Sequence, residues 1–151
     1  MGFATFSGPL RIGTQRYAPG QNTGLVVLAQ SRTVASTDTA ASVAAILPAG
    51  SQITGITLQQ TTTFTSGTSG TFTVLLNGTQ IGQLAITAGT AGNLSITPDT
   101  AARAALFANV GTVDATVTYT SATLNAGAGS LLIQYVQRAS DGAQSPTTFQ
   151  N

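Results

Sequence analysis

Phe72-Thr73-Val74-Leu75-Leu76-Asn77-Gly78-Thr79, continued by Ile81 to Thr87, is an alternating run, a two-residue breaker and a second apolar run. Phe72, Val74 and Leu76 recur at period two, which places them on one face of an extended strand. Asparagine and glycine tolerate positive φ better than other residues, and Asn-Gly between two such runs is the strongest short-range hairpin signal. The stretch predicts a β-hairpin turning at Asn77-Gly78, a better reading than the glycosylation triplet Asn77-Gly78-Thr79; that triplet and Asn93-Leu94-Ser95 are a common pattern with no secretion signal beside it.

The same pattern extends outward in both directions. Upstream, a Ser/Gly/Thr loop from Ser66 to Gly70 follows a long run, Ile53 to Phe64, in which Ile56, Leu58 and Phe64 share one face while Thr57, Gln59, Thr61 and Thr63 share the other. Val43 to Leu47 ends in the turn residues Pro48-Ala49-Gly50, and Leu25 to Gln30 is a short apolar run of the kind buried on both faces. Downstream, Thr97-Pro98-Asp99 before Thr100 to Val110 offers an N-cap and a proline at the first helical position, so one short helix is expected. Val113, Ala115, Val117 and Tyr119 alternate with polar residues, and Ser130 to Gln137 follows Gly127-Ala128-Gly129, read as a flexible turn. Seven or eight short strands with turn signals between them predict an all-β fold, a β-sandwich or jelly roll with an extended N-terminal arm and at most one short helix.

The expected organisation is an arm over residues 1–23, a β-sandwich core over 24–138 and a polar C-terminal tail over 139–151. A chain of 151 residues fits one domain. In the arm, Gly8-Pro9, Gly13, Pro19-Gly20 and Gly24 interrupt Phe3, Phe6, Leu10, Ile12 and Tyr17 too often for a regular element. Apolar side chains in a segment that cannot fold on itself need another surface. The arm residues Phe3, Phe6, Leu10, Arg11, Ile12, Arg16 and Tyr17 are therefore candidates for binding a neighbouring subunit, with folding back over the chain's own core as the alternative. Ordering about 20 residues costs ~1–2 kcal/mol each in backbone entropy. Five buried side chains return only ~1.5–3 kcal/mol apiece. Backbone hydrogen bonds to a sheet edge are needed to offset the rest.

Composition narrows the chemistry. Only 6% of residues are charged and the net charge is +1, against about 25% charged in ordinary soluble domains. The surface must then be hydroxyl and amide, and weak colloidal repulsion favours association. Arg11, Arg16, Arg32, Arg103 and Arg138 are scattered, so no nucleic-acid footprint is expected. With no His, Cys, Lys or Glu, the usual general bases and a Ser-His-Asp arrangement are excluded in cis. Asp38, Asp99, Asp114 and Asp141 remain, each in a turn or helix-start context that suits capping better than catalysis. No Asp-x-Asp spacing marks a calcium loop, and neither glycine cluster has the spacing or lysine of a phosphate loop. No cofactor and no metal are expected. The first residues, Met1-Gly2-Phe3-Ala4-Thr5-Phe6, lack the features of a signal peptide, and no apolar run of ~20 residues exists, so cytoplasmic synthesis without membrane contact is expected.

Four phrases, Phe6-Ser7-Gly8-Pro9, Gly24-Leu25-Val26-Val27-Leu28-Ala29-Gln30-Ser31, Leu47-Pro48-Ala49-Gly50-Ser51-Gln52-Ile53 and Gly129-Ser130-Leu131-Leu132-Ile133-Gln134-Tyr135-Val136, together resemble the small head decoration, or cement, proteins of tailed phages. The resemblance runs from about residue 6 to 136 and rests on short phrases and composition rather than catalytic motifs. It implies a structural virion protein on the capsid exterior, a homodimer or homotrimer that ties neighbouring major capsid proteins together, made in the host bacterial cytoplasm and acting without a cofactor.

Three other classes fit parts of the pattern. A tail or fibre module binding host glycans would also be a Thr-rich sandwich, but the chain has no Trp, and Tyr17, Tyr119 and Tyr135 are spread along it. An ice- or surface-binding protein would need Thr-x-Thr pieces at constant period. Those at Thr61-Thr62-Thr63, Thr71-Phe72-Thr73 and Thr116-Val117-Thr118 are irregular, and β propensity accounts for them. An enzyme would have to work with aspartates alone.

Overall fold

The computed structural model describes residues 11–12, 24–25, 27–38, 40–66, 69–86 and 92–137. In chain order these form β1 (Arg11–Ile12), β2 (Gly24–Leu25), β3 (Val27–Ala35), β4 (Ser42–Leu47), β5 (Gln52–Thr65), β6 (Gly70–Leu76), β7 (Thr79–Ile86), β8 (Asn93–Ser95), α1 (Ala101–Ala108), β9 (Ala115–Ala122) and β10 (Ala126–Val136). The hairpin at the centre of the sequence is present as β6 and β7. Asn77 and Gly78 have φ of 48° and 80°, the paired positive values of a type I′ turn, whose twist matches that of the flanking strands.

Around this hairpin the pairing is nested. β6 pairs with β7, β5 with β8, β4 with β9 and β3 with β10, all antiparallel. Two further pairings, β10 with β5 and β9 with β6, join them into sheets of order β3-β10-β5-β8 and β4-β9-β6-β7. A long hairpin folded over itself in this way is the jelly-roll winding.

The period-two pattern sets the inner faces. β6 buries Gly70, Phe72, Val74 and Leu76 and leaves Thr71, Thr73 and Leu75 partly exposed; β9 buries Ala115, Val117, Tyr119 and Ser121. One apolar cluster joins Phe72, Val74, Leu76, Ala115, Val117 and Tyr119 to Val34, Ile56, Leu58, Leu131 and Ile133 of the facing sheet. Phe72 is its centre, stacked on Tyr119 with centroids 5.5 Å apart and tilted against Phe64 at 6.1 Å. Such ring pairs add ~0.5–1.5 kcal/mol beyond their buried area.

Three local expectations change. The run at Leu25–Gln30 is not a strand covered on both faces. β3 is an edge strand with β10 on one side, Val27, Ala29 and Ser31 are exposed, and Val34 alone of its residues is fully buried. The helix begins later than Thr97-Pro98 implies, because Thr100 is the N-cap, its Oγ1 accepting the Arg103 N–H at 3.3 Å. Pro98 stands two residues before the cap, between β8 and α1. Gly127-Ala128-Gly129 lies inside β10, where the register against β5 shifts twice, so the glycines admit bulges in a paired strand rather than a loose turn.

Candidate interaction surface

Among the described residues, the outer-face rows that the strand registers define carry no charged side chain. Across β4-β9-β6-β7 one row reads Val43, Thr118, Leu75, Gln80, and the lower rows read Thr120, Thr73, Gln83 and Ala122, Thr71, Ala85. Across β3-β10-β5-β8 the rows read Ser31, Leu132, Thr57, Ser95 and Thr33, Ser130, Gln59, Asn93. Thr73 stands opposite Thr120, while the pieces Thr71-Phe72-Thr73 and Thr116-Val117-Thr118 are offset along the strands, Thr118 lying opposite Leu75.

The charged side chains of the described residues sit at ends and edges. Arg103 donates to both oxygens of Asp99 one helical turn earlier, a surface pair worth ~0.3–0.5 kcal/mol. Asp114 Oδ1 accepts the Ala49 N–H at 3.0 Å, while Gly50 donates to Gly111 O at 2.7 Å and Val110 to Ser51 O at 3.0 Å, so the β4–β5 turn and the loop after α1 are stitched together. Asp38 lies in the connection from β3 to β4. Its Oδ2 accepts the Ala35 N–H at 2.9 Å and the Tyr119 hydroxyl at 2.6 Å, and its carbonyl accepts the Ser121 hydroxyl at 2.8 Å. The Tyr119 hydroxyl and the Ala35 amide hold the Asp38 carboxyl below the usual carboxylate range, helped by the Arg32 charge and opposed by partial burial. Burial, then the Asp38 hydrogen bond, pushes the Tyr119 phenol up. Each of these aspartates is occupied in holding backbone or a neighbouring side chain. Asp141 lies outside the described residues. Among the described residues no three His, Cys, Asp or Glu side chains cluster so as to hold a metal ion, and no helix is long and apolar enough to cross a membrane.

The two flanks of the sandwich differ. On the β7–β8 flank, α1 packs Leu106 and Phe107 against the core, and a Cβ on Gly82 would come within 2.5 Å of Ile96 Cγ2, so the sheets meet tightly. Among the described residues no helix packs on the β3–β4 flank. Of the four large apolar side chains exposed among the described residues, Val27, Val43 and Ile46 belong to β3 and β4, and Val113 precedes β9. Here the Gln30 amide spans the sheets. Its Nε2 donates to Ile46 O at 2.8 Å and to the Tyr135 hydroxyl at 3.1 Å, and its Oε1 accepts the Ile46 N–H at 3.4 Å. One side chain thereby satisfies edge groups that a neighbouring strand would otherwise pair. Gln30→Ala is expected to lower stability by about 1 kcal/mol in urea denaturation, the net worth of such bonds at a half-exposed site.

Of the arm residues expected to bind a partner, Phe3, Phe6, Leu10, Arg16 and Tyr17 lie outside the described residues. Arg11 and Ile12 form β1, and their backbone pairs with β2, Arg11 opposite Leu25 and Ile12 opposite Gly24. Sequence reasoning missed Gln30, Val43 and Ile46. The available signal was Val43 and Ile46 standing three apart in a strand whose buried residues are Ala45 and Leu47, a spacing that requires the bulge seen between Val43 and Ala45.

No protein-family model matches the chain, and no curated protein is significantly similar to it. Among solved structures, a chain of the Cyanophage Pam1 capsid asymmetric unit matches with a TM-score of 0.50 and 21% sequence identity, over 89% of this chain and 99% of that one. At that identity the likeness is one of fold, and it extends across nearly the whole of both chains.

Proposed function

We propose that this chain is a structural virion protein that decorates and cements the outer surface of a tailed-phage capsid, binding the major capsid protein and further copies of itself. The observation that carries the reading is the absence of charge from the outer sheet faces among the described residues, on a jelly roll whose fold is shared over 89% of this chain with a chain of a phage capsid asymmetric unit. Hydroxyl and amide faces lose less on desolvation than ionic ones, and copies without charge on their faces pack into a dense array without mutual repulsion. A cement protein acts through modest contacts repeated over a symmetric lattice, where each link raises the effective concentration of the next. Val43 and Ile46, exposed at one margin of the Thr-rich face, supply apolar contact within such an interface.

The test is stoichiometry. In purified particles, quantitative mass spectrometry is expected to find the chain at a one-to-one ratio with the major shell protein or a simple fraction of it. A handful of copies per particle would instead indicate a tail or glycan-binding module, and absence from particles would overturn the virion reading altogether.

A further inference from the structure

Asn77-Gly78 is the one Asn-Gly step in the sequence, and it carries chemistry as well as a turn. Glycine has no side chain to crowd its own nitrogen, so that nitrogen attacks a preceding asparagine amide more readily than the nitrogens of Leu94, Val110 and Ala126, which follow Asn93, Asn109 and Asn125. Hydroxide takes the Gly78 N–H proton and the nitrogen bonds to Asn77 Cγ. The Cγ–Nδ2 bond then breaks, and the amide nitrogen leaves as ammonia with a proton from water, which restores the hydroxide and leaves a cyclic imide. Water opens the imide in one of two ways. Cleavage of the new N–Cγ bond yields aspartate, and cleavage of the original peptide bond yields isoaspartate, whose backbone runs through the side chain.

The folded turn opposes the first step. Asn77 and Gly78 are both exposed, so access of water is not what restrains it. Attack requires the Gly78 nitrogen to come near eclipsing the Asn77 Cα–Cβ bond about the Cα–C axis. In the type I′ turn set by φ of 48° and 80°, the first central residue has ψ of about +30°, which carries that nitrogen to the side opposite Cβ. The side chain is held as well, Asn77 Oδ1 accepting the Thr116 N–H at 2.8 Å while the Asn77 N–H donates to Thr116 O at 2.9 Å. The bond to Oδ1 polarises the amide and by itself would favour attack. Geometry outweighs it, because a nitrogen that cannot reach the carbon gains nothing from polarisation.

We propose that Asn77 is a conformation-gated deamidation site, closed while the β6–β7 turn is seated on β9 and open to cyclisation only when Asn77 parts from Thr116. The isoaspartyl product adds an atom to the backbone inside the turn and cannot rebuild it, so an opening that reacts leaves a permanent mark. Either product also sets a new carboxylate at the turn end of the β6–β9 pair, beside outer-face rows that carry no charge among the described residues. The gate does not depend on the virion reading.

The test follows the amide-to-acid mass gain on the peptide containing Asn77, in the full chain held in mildly alkaline buffer with and without denaturing urea. The folded chain should react at least tenfold more slowly than the unfolded one. The slowdown should also match, within a factor of three, the protection of the Thr116 N–H against hydrogen exchange in the folded chain, since one local opening releases both. Equal rates, or a slowdown far short of the Thr116 protection, would mean that the closed turn reacts and would overturn the proposal. A slowdown far beyond that protection would overturn it too, because release from β9 would not then be the gate. In urea, where folding plays no part, Gly78→Ala should slow the reaction about tenfold; an unchanged rate would rule out attack by the residue 78 nitrogen and the gate with it.

Discussion

Replacing Asp38 by alanine is expected to lower the unfolding free energy by about 3 kcal/mol, the sum of two lost charge-assisted hydrogen bonds at ~1.5 kcal/mol each. The carboxylate takes the Ala35 N–H and the Tyr119 hydroxyl on one oxygen, and the Tyr119 ring that carries the second donor is 1% exposed. Alanine would leave the phenol without its Asp38 acceptor while keeping the bonds from the Ser121 N–H and hydroxyl to the residue 38 carbonyl. Asp38 lies where the chain crosses from the β3 sheet to the β4 sheet, so the loss loosens a contact between the two layers. Tyr119→Phe, which removes one donor and leaves the carboxylate its Ala35 bond, should cost about half as much.

The same group gives stability a pH dependence whose sign follows from the direction of its shift. The folded-state carboxyl is held below its ordinary value, so the unfolded chain binds its proton first as pH falls. The contribution is complete above the unfolded value of about 3.9 and is lost as pH drops below it toward the folded value. Urea midpoints measured from pH 6 down to pH 2 should therefore fall less steeply in Asp38→Asn than in wild type. Parallel curves would mean that Asp38 is not held in its charged form by Tyr119 and Ala35.

Where local pattern and tertiary context agree, the fold was legible. Asn77-Gly78 demands positive φ at two successive residues whatever surrounds it, and alternation in β6 and β9 names the buried face outright. What escaped depends on partners distant in sequence. Leu25–Gln30 is as apolar as a central strand, and only the winding, which puts the first strand of the sandwich beside the last, makes it an edge. Thr97 and Thr100 are equally good caps by type; the choice falls to the residue whose hydroxyl meets an N–H three positions on. The charge-free faces were foreshadowed by composition, yet which threonines share a face depends on the β6–β9 register, which pairs residues nearly fifty apart. The Gln30 bridge had no local signal, since a glutamine in an alternating run reads as an outward polar residue.

Gly129→Ala should be among the most damaging small substitutions at the described residues, costing more than about 3 kcal/mol and so exceeding the ~1–3 kcal/mol usual for overpacking. Gly129 lies in β10 between β3 and β5, opposite Val34 on one side and Gln60 on the other. A Cβ there would run into the Gln59 carbonyl oxygen, with the Gln59 carbonyl carbon and Gln60 Cα both at 3.1 Å. These are backbone atoms of a strand paired on both sides, and no side-chain rotation relieves the clash. Gly78→Ala provides the contrast. Gly78 has φ of 80° but nothing within 4 Å of an added Cβ, so its cost is conformational alone, about 1–2 kcal/mol. Denaturation of the two variants side by side separates steric from torsional demand for glycine. If Gly129→Ala proves as mild as Gly78→Ala, β5 must yield at its bulge, and the Gly127-Ala128-Gly129 segment would be a soft seam between β10 and β5 rather than a fixed close approach.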